Sequence, residues 1–337
     1  MSLKIGLAGA TGALGKEILA VLHEAPWRPD RVVALASPST SVPFVEYGEE
    51  QVPVDDLEMQ ALEDLDALLL AVPPAVARAT GERAVAVGVP VIDCSGVFAD
   101  DPGIPLLIPW VNPEALGDLP SQVVVALPSP SATLLASVLG VLRRAGVRGE
   151  VDATVFLPAS VFGRDGMEEL SAQVIALFNQ RTPPRRVFDH GLAFDLVPQV
   201  GPVDDDGWSE VEVRAEHELR RLIGLLEPAS ITVVGVPLFS GISASVHLRT
   251  PEPVDPDLVA RILRDGGAVL PKATGARYLP RPRGVNAQPF VHVGRVRRDP
   301  SGKGLHLWVA LDNLRGSAAI AVATTGAVLE RLGLLDS

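Results

Sequence analysis

At 337 residues, with 47% hydrophobic and 21% charged residues and no low-complexity tract, the chain is long enough for two domains with separate cores. Its 29 basic and 41 acidic residues leave a formal charge of −12, which argues against nucleic acid or an anionic membrane surface as a main partner, though not against a local basic pocket. Cys94 is the sole cysteine, which excludes an intramolecular disulfide framework and suits a reducing compartment.

In chain order, MSLKIGLAGATG runs straight into a strand and a glycine turn, with no basic leader or cleavage site, so no signal peptide and a cytoplasmic location are expected. The longest apolar runs, about ten residues, are too short to span a bilayer. Lys4–Ala8 reads as a strand, Leu14–His23 as a helix, and Arg31–Ala36 and Asp66–Val72 as strands. Ala75–Val87 follows as a helix, then Val89–Cys94 and Gln122–Leu127 as strands. Strands that are apolar on both faces and separated by helices predict a parallel sheet with covered faces. Ser131–Ala145 is the next helix. Beyond it, alternating segments at Glu150–Phe156, Ser230–Pro237, Ser243–Arg249, Val291–Arg298 and Leu305–Leu311 predict a mostly antiparallel sheet. Helices at Met167–Asn179, Ser209–Leu225 and Asp255–Arg264 fall between these strands, and Pro183-Pro184 and Pro280–Arg283 read as loops. A last helix, Ser317–Leu332, is expected to pack back on the first domain. The division is therefore 1–128 plus 316–337 for one domain and 129–315 for the other.

Gly9, Ala10, Thr11, Gly12, Ala13, Leu14 and Gly15 join the first strand to the first helix. Glycines there permit a tight turn and let backbone N–H groups approach a pyrophosphate at the positive end of the helix dipole. The alternative is a glycine turn kept only for close packing of strand and helix. After the second strand, an Asp or Glu would hold the ribose hydroxyls of NAD and an Arg would accept the 2′-phosphate of NADP. Ser37-Pro38-Ser39-Thr40 offers neither, so NAD and NADP both stay open. Ala71-Val72-Pro73-Pro74 likewise lacks the small polar residues expected beside such a cofactor.

Six segments resemble the aspartate-semialdehyde dehydrogenase family: VIDCSGVF at 91–98, PWVNPEAL at 109–116, FGRDGMEEL at 162–170, FDHGLAFDLVPQV at 188–200, VGVPLFSGISASV at 234–246 and VGRVRRDPSGKGLHLWVALDNLRGSAA at 293–319. The resemblance implies an α/β chain: a Rossmann-like parallel-sheet domain plus an α+β dimerisation domain with a mostly antiparallel sheet. It also implies NADP or NAD as cofactor, a homodimer formed through the second domain, and a place in amino-acid biosynthesis. Strands such as ITVVGVP and LHLWVAL carry more apolar surface than one layer of helices covers, which suits such a dimer.

In that family a cysteine thiolate attacks the aldehyde, hydride passes to the nicotinamide, and phosphate cleaves the thioester. The resemblance places the cysteine of its A-N-P-N-C-S-T-I segment at Pro130 and the oxyanion glutamine at Leu157. The histidine falls at Ile242, the substrate-binding arginine at Gly235, and the phosphate-binding arginine at Ala99. None of these side chains can bind a carboxylate, an oxyanion or phosphate. Asn313, in the D-N-L-R segment, stands where the family has an Asn near the nicotinamide. Arg214 stands near a family lysine on the substrate side, although a solvated helix charge is the plainer reading.

Ser129 as N-cap and Pro130 as first helical residue make a stable helix start on backbone grounds alone. The pattern resembles the catalytically depleted Usg-type branch of the family. Cys94 lies at the C-terminal edge of the parallel sheet but has no neighbouring histidine in sequence, so an inert thiol is expected. Ser129 and Ser131 lack an identifiable base. His23, His190, His217, His247, His292 and His306 sit in no catalytic motif, and no local spacing suggests a metal. Three functions follow: a non-catalytic relative that retains NAD(P) binding, an oxidoreductase acting on another small substrate, and an interaction protein that no longer binds nucleotide.

Overall fold

The computed structural model describes residues 2–57, 62–117, 123–270 and 278–335. The chain divides into two units, Met1–Pro128 with Ser317–Ser337, and Ser129–Gly316.

The first unit is built on runs of aliphatic residues too short for helices and buried on both faces. β1 (Lys4–Ala8), β2 (Arg31–Ala36), β5 (Ala67–Leu70), β6 (Val91–Asp93) and β7 (Val124–Ala126) are all parallel, as apolar strands separated by crossovers require. β1 and β2 have the expected bounds, whereas β5, β6 and β7 are shorter than the apolar runs suggest. The chain leaves the ladder after Leu70 and Asp93, where side-chain and turn hydrogen bonds take over. Gln122, the expected first residue of β7, lies outside the described residues. A hairpin of β3 (Phe44–Tyr47) and β4 (Glu50–Asp56) extends the sheet to the order β3-β4-β2-β1-β5-β6-β7. Sequence periodicity misses this hairpin because β4 reads Glu-Gln-Val-Pro-Val-Asp-Asp, with polar residues at both ends, a proline in the middle and no buried residue. Its turn requires glycine: Gly48 has φ +64, and a Cβ there would run into the His23 ring.

α1 (Ala13–Glu24) and α2 (Pro74–Ala86) are the crossover helices. Pro74 sits at the first position of α2, where its missing N–H costs nothing. α7 (Asn313–Arg331) begins four residues before the expected Ser317. From Ser317 on it belongs to the first unit, where Val328 joins Leu107, Leu116, Val123 and Val125 in one cluster.

In the second unit, β8 (Glu150–Leu157), β9 (Ser230–Gly235), β10 (Ile242–Arg249), β11 (His292–Arg298) and β12 (Gly304–Leu311) form a sheet of order β11-β12-β10-β8-β9. Every pairing is antiparallel except β8 with β9. α3 (Pro130–Arg144) and α5 (Glu210–Ile223) pack together and against one face of this sheet, and α6 (Pro256–Asp265) packs on α3 and β11. Residues alternate accordingly: Val151, Ala153, Val155, Val246 and Leu248 are buried, whereas Asp152, Thr154, Phe156, Ser245 and His247 remain half-exposed. The expected α/β plus α+β architecture is thus borne out. α4 (Gly163–Phe178) starts four residues before the expected Met167, and Gly166 in its first turn lies against the Ala159 carbonyl and the Phe162 side chain, too close for a Cβ.

Candidate functional site

The glycine turn after β1 is held open by two close approaches. Gly9 has φ +85, and a Cβ there would lie 2.1 Å from the Ala71 carbonyl oxygen; a Cβ at Gly15 would lie 2.1 Å from the Gly9 carbonyl. Gly9 and Ala10 donate their N–H groups to the Leu35 carbonyl at 2.8 and 3.2 Å, which pins the turn across the C-terminal ends of β1 and β2. Gly12 caps α1 without a side-chain acceptor, and the first turn of α1 holds no acidic residue. The first N–H groups of α1 therefore have neither a capping oxygen nor a carboxylate beside them, the arrangement that suits a phosphate. Beyond β2, Ser37 Oγ and Ser39 Oγ lie 2.9 Å apart in an exposed turn, with Ser39 N donating to Ser37 Oγ.

In the second unit the expected cap is present. Ser129 Oγ accepts from Ala132 N at 3.4 Å, and Pro130 is the first residue of α3. Ser129 N also donates to Glu218 Oε2 at 2.7 Å, while Glu218 Oε1 accepts from Arg214 Nε at 2.7 Å. Glu218 is fully buried. A resident carboxylate thus meets the positive end of α3, where an activated nucleophile would need that field. Arg214 is consequently not a solvated helix charge: it is the ion-pair partner of Glu218. The spacing of the two residues, i and i+4 on α5, was readable, but Glu218 looks like a surface residue until α5 is seen packed on α3.

The remaining positions implied by the resemblance are apolar and closely packed. Leu157 ends β8 and Ile242 begins β10, both buried. Gly235 ends β9 and exchanges backbone hydrogen bonds with Val197; a Cβ there would contact Val197, Leu192 and Val200 at 3.4 to 3.6 Å. Ala99, in the first unit, is buried. Leu157 and Gly235 border a cleft of about 410 Å³, otherwise lined by Phe162 and residues 187–192, 197 and 199–202. Asp189, His190 and Gln199 are its polar side chains, and no lysine or arginine is among its lining residues.

The loop that forms this cleft is fastened to α4 by two buried polar residues. Glu169 accepts from the backbone N–H groups of Arg186, Val187 and Phe188 at 2.8, 2.9 and 3.0 Å. Gln173 Oε1 accepts from Leu192 N and Ala193 N, and its Nε2 donates to Glu169 and to the Pro184 carbonyl. Burial alone would raise the Glu169 carboxyl, but the three backbone donors and Arg186 outweigh it and hold the group below its usual range.

Asn313, the first residue of α7, is buried, and its Oδ1 accepts from Ser160 Oγ at 3.1 Å and Gly241 N at 3.0 Å. Both acceptor positions of the amide oxygen are thereby used, which fixes the orientation of the amide. Cys94 keeps some accessible surface as a residue, whereas its thiol is desolvated; burial, and secondarily Asp93, push the thiol far above its ordinary range. It is not a thiolate near neutral pH.

A glycine-cradled parallel sheet joined to a β-rich unit of this topology defines a dinucleotide-linked dehydrogenase scaffold. The model described as semialdehyde dehydrogenase, NAD binding domain, matches residues 4–119, and that of the semialdehyde dehydrogenase dimerisation domain matches residues 142–316. A protein of Pseudomonas aeruginosa called a USG-1 protein homolog is 32% identical over 331 residues, covering 97% of each chain. An aspartate-semialdehyde dehydrogenase of Rickettsia conorii is 30% identical, covering 94% of each. The crystal structure of aspartate semialdehyde dehydrogenase II from Vibrio cholerae superposes with a TM-score of 0.91 at 29% identity, over 98% of this chain and 99% of that one. The chain belongs to the semialdehyde dehydrogenase family.

Proposed function

We propose that this chain is a dimeric, dinucleotide-binding member of the family that does not carry out cysteine-dependent aldehyde oxidation. The observation that carries the reading is Pro130 at the first position of α3, a residue with neither a nucleophilic atom nor an N–H. Two features support it. The helix end is already matched by the Glu218 carboxylate, and no lysine or arginine lines the cleft beside Leu157 and Gly235, so a substrate carboxylate or inorganic phosphate has no guanidinium or ammonium partner there. The turn from Gly9 to Gly15 is the proposed pyrophosphate cradle, acting through the backbone N–H groups at the start of α1. Asn313 Nδ2 is the proposed contact on the nicotinamide side. A bound nicotinamide dinucleotide would supply a hydride acceptor or donor. The matched dimerisation domain supports a homodimer through the second unit.

A second reading, an oxidoreductase on a different small substrate, is favoured by the cleft itself, because Asp189, His190 and Gln199 supply polar groups to an otherwise apolar pocket. One experiment separates the two. Purified protein is titrated with NADPH and NADH, then mixed with oxidised cofactor, phosphate and a panel of aldehydes including aspartate semialdehyde. Saturable cofactor binding without reduction of the cofactor is the expected result. Turnover of aspartate semialdehyde would overturn the proposal, turnover of another aldehyde would establish the second reading, and no binding at millimolar cofactor would remove the nucleotide site. Sedimentation in the same buffer is expected to give twice the chain mass.

A further inference from the structure

The half-exposed face of the second unit's sheet carries a group of side chains that the dehydrogenase scaffold does not use. His247 on β10 and His306 on β12 are directly opposed in the antiparallel register, and their rings stack with centroids 4.3 Å apart at an interplanar angle of 9°. Asp299, in the connection between β11 and β12, is fixed by its neighbours. Its N–H donates to the Gly304 carbonyl at 2.8 Å, and its Oδ1 accepts from Ser301 N at 2.6 Å. That leaves Oδ2 aimed at the two rings, 3.1 Å from His247 Nε2 and 3.6 Å from His306 Nε2.

We infer that His247, His306 and Asp299 bind a single divalent late-transition-metal ion of the zinc class, through the two Nε2 atoms and Oδ2. Four observations carry this. First, the spacing fits: bonds of about 2.0–2.1 Å in tetrahedral geometry place ligand atoms about 3.3 Å apart, between the two separations seen. Second, His247 Nε2 is removed from solvent, and Asp299 Oδ2, although 3.1 Å away, is not aligned with it for a hydrogen bond, so the two atoms face each other as ligands of one ion would. Third, the space beside it is kept clear. A Cβ on the buried Gly304 would come within 3.0 Å of His247 Nε2. Fourth, a carboxylate stands on the far side of the ring: Asp152 Oδ2, held by Arg249 Nη2 at 2.6 Å, lies 3.8 Å from His247 Nδ1, close enough to become its hydrogen-bond acceptor when the ring turns toward an ion.

Two imidazoles and one carboxylate suit zinc, copper or nickel better than the hard cations calcium and magnesium. In the single chain the three side chains are 14 to 27% exposed, which leaves a path for an ion and a fourth position for water. Because the rings are nearly parallel, capture turns them from a stack into a wedge that converges on the ion. Arg297 stands opposite His306 in the β11–β12 ladder and adds positive charge nearby, which Asp299 and Asp152 offset.

The test uses the full-length, tag-free protein, stripped with chelator and titrated calorimetrically with Zn2+, with Co2+ as the spectroscopic probe. The expected result is one ion per chain and the visible bands of tetrahedral Co2+, bleached by added Zn2+. His306→Ala is expected to weaken binding by more than the about 10- to 100-fold that loss of an outer partner costs, and Asp152→Asn by about 10-fold. His217→Ala, an exposed position on α5, should leave Zn2+ binding unchanged. Should His306→Ala misfold, carbethoxylation of the parent protein reads the same site, with Zn2+ expected to protect His247 and His306. Absence of Zn2+ binding up to millimolar concentration, binding indifferent to His306→Ala, or modification of both histidines unchanged by Zn2+ would each overturn the inference.

Discussion

One of the two side chains that fasten the cleft loop is the Glu169 carboxylate, and its removal has a calculable consequence. Glu169→Ala withdraws the acceptor from three backbone N–H groups, at Arg186, Val187 and Phe188. An abandoned buried donor costs about 1–3 kcal/mol. Because these amides are only partly buried, water recovers some of that, and the lower end applies, giving about 3 kcal/mol for the three. The apolar contacts of Phe188, Leu192 and Val197 against Leu170 and Val174 remain, so the loop is loosened rather than released. At about 1.4 kcal/mol per factor of ten, opening of the segment becomes about 100-fold more frequent. Hydrogen exchange followed by mass spectrometry is the assay, since it reads residues 186–188 directly. Glu169→Gln, which keeps one carbonyl oxygen, should show about a 10-fold effect. The sign of the pH dependence follows from the carboxyl being held below its ordinary value of 4.5. The stabilisation is fully present above pH 4.5 and is lost as pH falls through the lower folded value, so the parent loop should loosen in acid while the Ala variant responds little. Exchange at 186–188 within threefold of the parent in Glu169→Ala would refute the reasoning.

Gly9→Ala should lower the thermal midpoint by several degrees and abolish cofactor binding, because an alanine at φ +85 carries about 1–3 kcal/mol of strain and its Cβ lies 2.1 Å from the Ala71 oxygen; a calorimetric scan and an NADPH titration check both. Cys94 should react with a disulfide reagent at neutral pH only after denaturation, since desolvation disfavours its thiolate; rapid labelling of the native protein would contradict this. Burial holds the His292 imidazole below its ordinary 6.5, with Tyr278 Oη 2.8 Å from Nδ1. Stability from that neutral ring is present above pH 6.5 and falls as pH drops below it, and urea midpoints measured from pH 7 to 5 should fall less in His292→Gln than in the parent.

Much of the architecture was legible because it depends on local chemistry. An apolar strand followed by Gly9 to Gly15 has few backbone solutions, and Ser129-Pro130 can begin a helix with no help from the rest of the chain. The α/β and α+β division followed from the change in period after α3. The β3–β4 hairpin was not legible, because its polar ends and Pro53 resemble a solvated loop until Val45 is buried and Tyr47 meets the His23 ring.

The scaffold and the glycine turn follow from sequence alone, as does the lack of nucleophile, base or cation at Pro130, Leu157, Gly235 and Ile242, since the identity of a side chain limits the chemistry available at its place. What the remaining polar groups do depends on the packed chain. Glu218 and Arg214 meet the start of α3, Glu169 and Gln173 hold the cleft loop, and His247, Asp299 and His306 converge from separate strands and a turn. The physical reason is range. Caps and turns are settled within a few residues, whereas a buried charge or a set of ligands takes its meaning from partners brought together by sheet register and helix packing.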